Sequence, residues 1–183
     1  MVENKLQFSD LDLRILDALQ QDASLSNQAL AEKVFTSAAT SLRRVRALQE
    51  AGVIEATVTM LSPAKLGSLL LAITEITLDV QNADGFDAFD ALVREEAGVT
   101  QAYRTAPSVD FTLMLTLPDM AAYQALVQRV FTAANNVRNV RTRFVTQRSK
   151  FSVALPLPSA KQAPISTRID LNSFALKRQQ NRG

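Results

Sequence analysis

Apolar residues recur at helical spacing in three short segments near the start of the chain. The first segment follows Ser9, and Asp12 stands three residues further on, a spacing that is typical of a helix capping box. A second short helix is predicted over residues 27–34. A third helix follows and runs to about Glu50, where Gly52 is expected to end it because glycine tolerates the left-handed conformation of a C-cap.

After the third helix the apolar residues change to the period of two that is typical of strands. The β-branched run Val53–Met60 predicts one strand, which together with the three helices indicates a winged helix-turn-helix. From Leu70 onward the pattern predicts strands and helices in the order βαββαβ, which is typical of a ferredoxin-like fold. The strands are expected at residues 70–80, 99–106, 110–117 and 140–145, and the helices at residues 84–97 and after Asp119.

These patterns divide the chain into two domains and a tail, with the fold class α+β. An N-terminal winged helix-turn-helix domain over residues 1–60 is followed by a linker over residues 61–67, a turn cluster that contains serine, proline and glycine. A C-terminal ferredoxin-like βαββαβ domain occupies residues 68–158. The basic C-terminal tail, residues 159–183, is expected to form a short helix, to extend along a neighbouring subunit, or to remain solvated and poorly ordered.

The amino-acid composition excludes several kinds of catalytic and metal-binding site. The 183 residues include no cysteine and no histidine, which excludes disulfides, thiolate and imidazole metal ligands, and nucleophile–base pairs that need either residue. The longest clearly apolar run, Leu69–Ile73, is far shorter than the roughly 20 residues that span a bilayer. Residues 1–12 lack the apolar region of a signal peptide. We therefore expect a cytoplasmic protein that is not an enzyme and that holds no metal or cofactor.

The net charge of +2 is distributed unevenly along the chain. Residues 1–60 hold six basic and eight acidic side chains, and residues 61–158 hold nine of each. Residues 159–183 hold five basic and one acidic. The basic character therefore comes from the tail, and the overall charge does not by itself identify a nucleic-acid-binding protein.

The third helix carries residue types that suit a helix in the DNA major groove. Small side chains on its outer face let the backbone approach base edges, while Thr40 and Arg43 can read bases and Arg44 and Arg46 can hold phosphates on either side. The predicted DNA-contacting residues are Ser37, Ala39, Thr40, Arg43, Arg44 and Arg46. With Val45 at the buried centre, the inner side is expected to hold Ala38, Ser41, Leu42 and Leu48. An ordinary surface helix with three arginines is the alternative interpretation.

Two longer runs carry a family resemblance. The run LRRVRALQEAGVI at residues 42–54 resembles the N-terminal half of the Lrp/AsnC family, the feast/famine regulators. The run LSPAKLG at residues 61–67 is similar to that family's link to its ferredoxin-like ligand-sensing domain. The resemblance covers about residues 8–157 and implies a bacterial or archaeal transcription regulator that binds double-stranded DNA. It also implies a homodimer that assembles to a tetramer or octamer, associates with the nucleoid and takes an amino-acid effector between dimers.

Two stretches depart from the family's pattern. The turn into the recognition helix, usually Gly-Leu-Ser, begins here with Phe35. Phenylalanine is not expected in the left-handed conformation that glycine allows, which predicts a wider or offset turn. The sensing loop, commonly Thr-Gly followed by acidic residues, here is APSVD at residues 106–110. Because Pro107 has no backbone N–H, the usual effector contact at that position is not expected.

Candidate effector-binding residues surround this loop. Tyr103, Thr105, Ser108 and Asp110 are expected to line a polar pocket, in which Asp110 would hold an ammonium group. Alternatively, Asp110 caps the turn before the next strand. A basic run further on predicts either an anion site for an effector carboxylate or a solvated or inter-subunit face that pairs with an acidic run. The basic run is Arg138, Arg141, Arg143, Arg148 and Lys150, and the acidic run is Asp84, Asp87, Asp90, Glu95 and Glu96.

Three functions are compared, and a sequence-specific, effector-responsive regulator of transcription is the one expected. A nucleoid-architectural protein is the first alternative; it would bind DNA with a steep salt dependence and little sequence preference. An enzyme on the same scaffold is the second, because sirohaem decarboxylases also resemble this family. Those enzymes are expected to rely on histidine near the tetrapyrrole, and this chain has none.

Overall fold

The computed structural model describes residues 8–67 and 69–157. Within this part the chain forms two units of different architecture. The first unit contains residues 8–59 together with residues 150–157, and the second unit contains residues 60–149. The chain therefore leaves the first unit, builds the second and then contributes a further segment to the first. The predicted basic tail lies outside the described residues.

The first unit contains three helices, and each begins at a serine N-cap. The helices are α1 (Asp10–Gln21), α2 (Asn27–Lys33) and α3 (Ala38–Glu50). The hydroxyls of Ser9, Ser26 and Ser37 each accept a hydrogen bond from the backbone N–H three residues further on. Each serine thereby satisfies one of the amides that a helix start leaves without a partner. The prediction of three short helices is confirmed.

The apolar faces of these helices pack into one core. Burial of each large apolar side chain there stabilises the fold by about 1.5–3 kcal/mol. The Asn27 side-chain amide donates to the Ala38 carbonyl over 2.8 Å, so the N-terminal ends of α2 and α3 are held together. This pairing of two short helices across a tight turn is a helix-turn-helix. The buried core residues are Ile15, Leu16, Ala18, Leu30, Val34 and Leu48.

The segment after α3 does not form the strand that its composition predicted. Val53–Met60 pairs with no strand in the described part of the chain. Instead, the N–H groups of Val53 and Ile54 donate to the Leu48 carbonyl over 2.9 and 3.2 Å, and both side chains pack on the first-unit core. A strand needs a neighbour because its backbone groups must be paired. These β-branched residues therefore close the end of α3.

The second unit is a four-stranded sheet with two long helices, as far as the described residues extend. Its strands are in the order β2-β3-β1-β4, and all neighbours are antiparallel. The predicted βαββαβ order and the ferredoxin-like architecture are confirmed. The elements are α4 (Pro63–Leu66), β1 (Leu70–Leu78), α5 (Ala83–Arg94), β2 (Val99–Arg104), β3 (Phe111–Leu117), α6 (Met120–Val130), a 3-10 turn (Ala133–Asn135) and β4 (Val137–Phe144).

Residues alternate along β1 and β3 between a buried face and a partly exposed face. The buried face packs against α5 and α6. Phe111 lies at its centre, with ring centroids 4.8 Å from Phe89 and 5.9 Å from Phe86. On the opposite face, the Arg143 guanidinium on β4 pairs with the Glu75 carboxylate on β1 over 2.7 Å. The alternation fixes the strand register, because a shift by one residue would exchange the two faces.

Residues 150–157 form an irregular segment that is tied to α1. The Leu155 N–H donates to the Gln20 side-chain oxygen over 2.6 Å, and the Gln20 amide nitrogen donates to the Leu155 carbonyl over 3.2 Å. Leu157 packs against the first-unit core. The hydrophobic pattern did not indicate this attachment, since it joins residues 135 positions apart in the sequence.

Candidate nucleic-acid interface

The outer side of α3 holds most of the residues that were predicted to contact DNA. Ala39, Arg43 and Arg46 are exposed, and neither arginine forms an ion pair or a hydrogen bond within residues 8–67 and 69–157. Ser37 is exposed and Thr40 is half-buried. The Ser37 hydroxyl accepts from the Thr40 N–H over 3.2 Å and donates to the Thr40 hydroxyl over 2.9 Å. These contacts fix the two hydroxyls at the start of α3.

The start of α3 is electrostatically suited to phosphate. The first backbone N–H groups of a helix have no partner within it, and the helix dipole places partial positive charge there. Residues 1–60 nevertheless carry a net charge of −2. Attraction to DNA therefore depends on where Arg43 and Arg46 lie and on the direction of α3, and not on the overall charge of this part of the chain.

Of the five residues predicted for the inner side of α3, two are buried, two are half-buried and one is exposed. Ser41 and Leu48 are buried and Val45 is half-buried, but Leu42 is 40% exposed. At about 100° per residue Leu42 lies ~60° around the helix from Val45, which places it at the edge of the buried side. The buried Ser41 hydroxyl has no hydrogen-bond partner among the described residues.

Arg44 pairs with Asp12 of α1. Its Nε donates to Asp12 Oδ1 over 2.8 Å, and its Nη2 contacts Asp12 Oδ2 and donates to the Ser9 hydroxyl over 3.2 Å. The Asp12 side chain is 3% exposed and that of Arg44 is 36% exposed. Burial raises the pKa of Asp12, but hydrogen bonds from Arg44 and Ser9 outweigh burial and hold this pKa below its ordinary value. A phosphate contact by Arg44 stays a prediction.

The partner of Arg44 was missed by sequence reasoning. Asp12 was assigned to the cap of α1, and that role is confirmed, since Asp12 Oδ2 accepts from the Ser9 N–H over 2.9 Å. The second role depends on packing between residues 32 positions apart. One signal for this second role was present in the sequence. Asp12 lies three residues before the apolar Ile15 and therefore on the same face of α1, and a residue that only caps the helix does not need to lie on that face.

The ends of α2 and α3 share one backbone geometry. The residue after each C-cap has a positive φ, which is 57° at Phe35 and 70° at Gly52. In both turns the N–H of this residue and the N–H of the next donate to carbonyls of the preceding helix over 2.9–3.2 Å, which is the Schellman pattern. The expectation that Phe35 avoids the left-handed region is therefore wrong. The hydrogen bonds require this conformation, at a cost of roughly 1–2 kcal/mol for a residue with a side chain.

Of the four predicted effector-binding residues, Tyr103 lies on β2. The other three, Thr105, Ser108 and Asp110, lie in the loop between β2 and β3. Asp110 Oδ2 accepts from the Leu78 N–H over 2.7 Å and from the Gln81 side-chain amide over 2.9 Å. The Thr105 hydroxyl donates to the Val109 carbonyl over 3.1 Å. Asp110 therefore joins the end of β1 to the start of β3, and Thr105 closes the loop between β2 and β3.

The other two predicted effector residues are more accessible. Tyr103 and Ser108 are exposed, and the Tyr103 hydroxyl donates to the Gln101 side-chain oxygen over 3.0 Å. A surface cavity of about 420 Å³ lies between α5 and β2, and none of the four predicted residues lines it. It is lined by Asp90, Val93, Arg94, Val99, Thr100, Gln101, Ala102 and Arg104.

Three residues of the acidic run pair with arginines outside the basic run. Asp87 and Asp90 bind Arg104, with 2.6 Å between Arg104 Nη2 and Asp87 Oδ1. Glu96 binds Arg129 over 2.5 Å, and the hydrogen bond from Arg129 lowers the pKa of Glu96. The basic run instead pairs through Arg143 with Glu75, where the hydrogen bond likewise lowers the pKa of the carboxyl. An anion site in the basic run stays a prediction.

Two further findings concern other kinds of site. The described ranges contain no group of three or more acidic, cysteine or histidine side chains placed to hold a metal ion. None of the helices in those ranges is both long enough and apolar enough to span a membrane.

Both units match known protein families. Residues 8–55 match the winged helix-turn-helix DNA-binding family, and residues 71–155 match the Lrp/AsnC ligand binding domain. The first match covers all three helices of the first unit. The second covers the whole sheet except the first residue of β1, and extends into the segment that is tied to α1.

Similar curated proteins include three regulators. A helix-turn-helix transcriptional regulator of Haemophilus influenzae is 35% identical over 140 residues, which is 76% of this chain and 83% of the relative. The glutamate uptake regulatory protein of Zymomonas mobilis is 33% identical over 83% of this chain and 92% of the relative. The leucine-responsive regulatory protein of Escherichia coli is 32% identical over 78% of this chain and 87% of the relative.

Solved structures show the same architecture. An AsnC family transcriptional regulator from Agrobacterium tumefaciens has a TM-score of 0.75 and 32% identity, over 81% of this chain and 97% of that chain. A transcriptional regulator from Neisseria meningitidis in complex with L-Met has a TM-score of 0.75 and 27% identity, over 82% of this chain and 97% of that chain. This protein is therefore a DNA-binding transcriptional regulator and belongs to the Lrp/AsnC family.

Proposed function

We propose that this protein binds specific double-stranded DNA sites through α3, and that an amino acid or a related small molecule modulates the binding. The observation that carries the proposal is the outer side of α3. There Arg43 and Arg46 have no ion-pair partner within the described ranges, while the opposite side packs into the core of a helix-turn-helix. In such a motif the second helix enters the major groove and its N-terminal residues contact base edges. The function is regulatory and not enzymatic.

The predicted DNA contacts have different roles in this proposal. Arg43 forks onto a guanine, and Thr40 meets a neighbouring base with its hydroxyl or methyl group. Arg46 holds a phosphate and therefore sets position without reading sequence. Ser37 and Ala39 are small, so the start of α3 can approach the base edges closely.

Arg44 acts indirectly in this proposal. Its guanidinium is occupied by Asp12 and Ser9, so it fixes the direction of α3 against α1. A residue in that position affects DNA binding by orienting its neighbours on α3. The Arg44 side chain is still 36% exposed, so the predicted phosphate contact stays a prediction beside this positioning role.

The proposed active form is a homodimer that assembles further to a tetramer or octamer in the cytoplasm, associated with the nucleoid. A dimer presents two copies of α3 to successive major grooves, about 34–36 Å apart. Higher assembly would join several dimers on one DNA segment and bend it. This assembly is proposed from the resemblance to the Lrp/AsnC family, whose ligand-binding domain matches residues 71–155.

An amino-acid effector is supported by the named relatives. The Neisseria regulator was solved with L-Met, and two relatives are named for leucine response and glutamate uptake. We assign effector contacts to Tyr103 and Ser108, whose side chains are exposed, and loop shaping to Thr105 and Asp110, whose side chains are engaged in hydrogen bonds. The effector would act by binding two assembly states with different affinity.

A binding titration tests this function. The full-length protein is titrated with the promoter upstream of its own gene and with a scrambled duplex of equal composition, each at two salt concentrations. Tighter binding to the promoter at the higher salt supports a specific regulator. Equal binding with a steep salt dependence supports an architectural protein, and absence of binding to both contradicts DNA recognition through α3.

A further inference from the structure

Phe35 has a backbone conformation that is unfavourable for its side chain. Its φ of 57° lies in the left-handed region, and the equivalent position at the end of α3 is Gly52 with a φ of 70°. Both turns contain the same pair of backbone hydrogen bonds, one donated by this residue and one by the residue after it. Glycine adopts this geometry without steric cost, whereas a residue with a β-carbon does not. Local folding alone therefore favours glycine at residue 35.

The ring of Phe35 gains nothing by burial that would offset this cost. It is 86% exposed, and no other ring or cation of the described ranges stacks on it. The hydrogen bonds of the turn hold the strained backbone in place, and such strained positions cluster at functional sites. The exposed ring is therefore free to contact a group outside the described chain.

The position of Phe35 indicates what it meets. It lies two residues before Ser37, the N-cap of α3, and consecutive Cα atoms are about 3.8 Å apart, so the two Cα atoms are at most ~7.6 Å apart. The start of α3 is the end that enters the groove in a helix-turn-helix. Backbone hydrogen bonds from Phe35 to Glu32 and from Thr36 to Ala31 hold the turn in one conformation.

We propose that Phe35 is an apolar DNA contact, whose ring packs against C–H groups at the edge of the major groove. This inference rests on the proposed function, because it assumes that α3 enters the groove. Two apolar groups are available there, the 5-methyl of a thymine and the face of a deoxyribose, and phenylalanine is among the residues that contact thymine methyls. A neutral ring releases no counterions, so its contribution does not depend on salt.

Three variants of the full-length protein test the proposal. Phe35→Gly and Phe35→Asn remove the ring and accept the left-handed backbone, whereas Phe35→Leu keeps an apolar side chain together with the strain. We expect Gly and Asn to raise the Tm and to weaken promoter binding about tenfold, which is the order expected for one apolar contact. Plots of log K against log salt stay parallel to that of the wild type, and Phe35→Leu retains most of the affinity.

A second set of DNA duplexes identifies the apolar group. Each thymine of the bound site is replaced in turn by uracil, which lacks the 5-methyl. If the wild type loses affinity at one position and Phe35→Asn does not, the ring contacts that thymine methyl. If no single uracil matters while both ring-removing variants bind more weakly, the ring contacts deoxyribose.

Two outcomes overturn the proposal. Promoter affinity equal to that of the wild type in both ring-removing variants excludes a DNA contact by the ring. Weaker binding by Phe35→Gly but not by Phe35→Asn assigns the effect to turn stiffness. If the wild type selects the promoter in either case, only this inference fails; if the wild type does not select it, the proposed function fails as well.

Discussion

The Asp12 carboxylate and the Arg44 guanidinium join the first turn of α1 to the middle of α3. The same carboxylate accepts from the backbone and hydroxyl of Ser9, so one buried group both caps α1 and positions α3. In the proposed function α3 carries the residues that meet DNA. The direction of that helix therefore depends on an ion pair that contacts no base.

Loss of this ion pair is expected to destabilise the first unit. Arg44→Ala leaves the charge of Asp12 buried and unpaired, which lowers the free energy of unfolding by roughly 2–3 kcal/mol. Both tyrosines lie in the second unit and the chain has no tryptophan, so hydrogen exchange of peptides from α1 and α3 is the suitable measurement. The matched control is Arg43→Ala, an exposed neighbour whose loss should change stability by about 0.5 kcal/mol or less. Equal effects of the two variants would contradict the role of Arg44.

The stability of the first unit is expected to depend on pH through Asp12. Its pKa is lowered in the folded state, so the stabilisation is fully present above the unfolded pKa of about 3.9 and is lost as the pH falls through the folded pKa. The difference in unfolding free energy between wild type and Asp12→Asn should be constant from pH 7 to about pH 5 and then shrink. Urea unfolding followed by hydrogen exchange at each pH measures it. A difference that persists unchanged down to pH 3 would show that charge is not the cause.

Replacement of Ser37 or Ser41 by alanine is expected to change the stability of the first unit in opposite directions. Ser41→Ala removes a buried hydroxyl that has no partner in the described chain, and should stabilise the first unit by about 1 kcal/mol. Ser37→Ala removes the N-cap of α3 and should destabilise it by about 1 kcal/mol. Thermal unfolding followed by circular dichroism compares the two variants. If Ser41→Ala is destabilising, the hydroxyl has a partner that this account lacks.

Asp110 is expected to stabilise the sheet. Asp110→Ala leaves the Leu78 N–H, at the end of β1, without its acceptor, and should lower the stability of the second unit by about 1–3 kcal/mol. Ser108→Ala, in the same loop but exposed, should leave stability unchanged and lower effector affinity. Tyrosine fluorescence during urea unfolding reports on this unit. Normal stability of Asp110→Ala together with lost effector binding would favour the ammonium-holding role for Asp110.

Local signals in the sequence were enough for the helices, the βαββαβ order and the outward side of α3. The period of the apolar residues determines which side of an element is buried, so Ser41 and Leu48 were placed correctly. The prediction of a strand at Val53–Met60 was wrong because β-branched composition cannot show whether a partner strand exists. The expectation for the backbone of Phe35 was wrong because the Schellman hydrogen bonds override the conformational preference of this residue. The Asp12–Arg44 pair and the attachment of Leu155 to Gln20 depend on tertiary packing, which leaves no periodic signal.

The most direct test of DNA reading by α3 is a comparison of Arg43→Ala and Arg46→Ala. Each variant is titrated against a promoter site in which every base pair has been substituted in turn, at several salt concentrations. We expect Arg43→Ala to lose roughly 1–3 kcal/mol of discrimination at one base pair only. Arg46→Ala should weaken all sequences alike and reduce the salt slope by about one. A uniform loss in both variants, with no base pair singled out by Arg43, would contradict sequence reading by this helix.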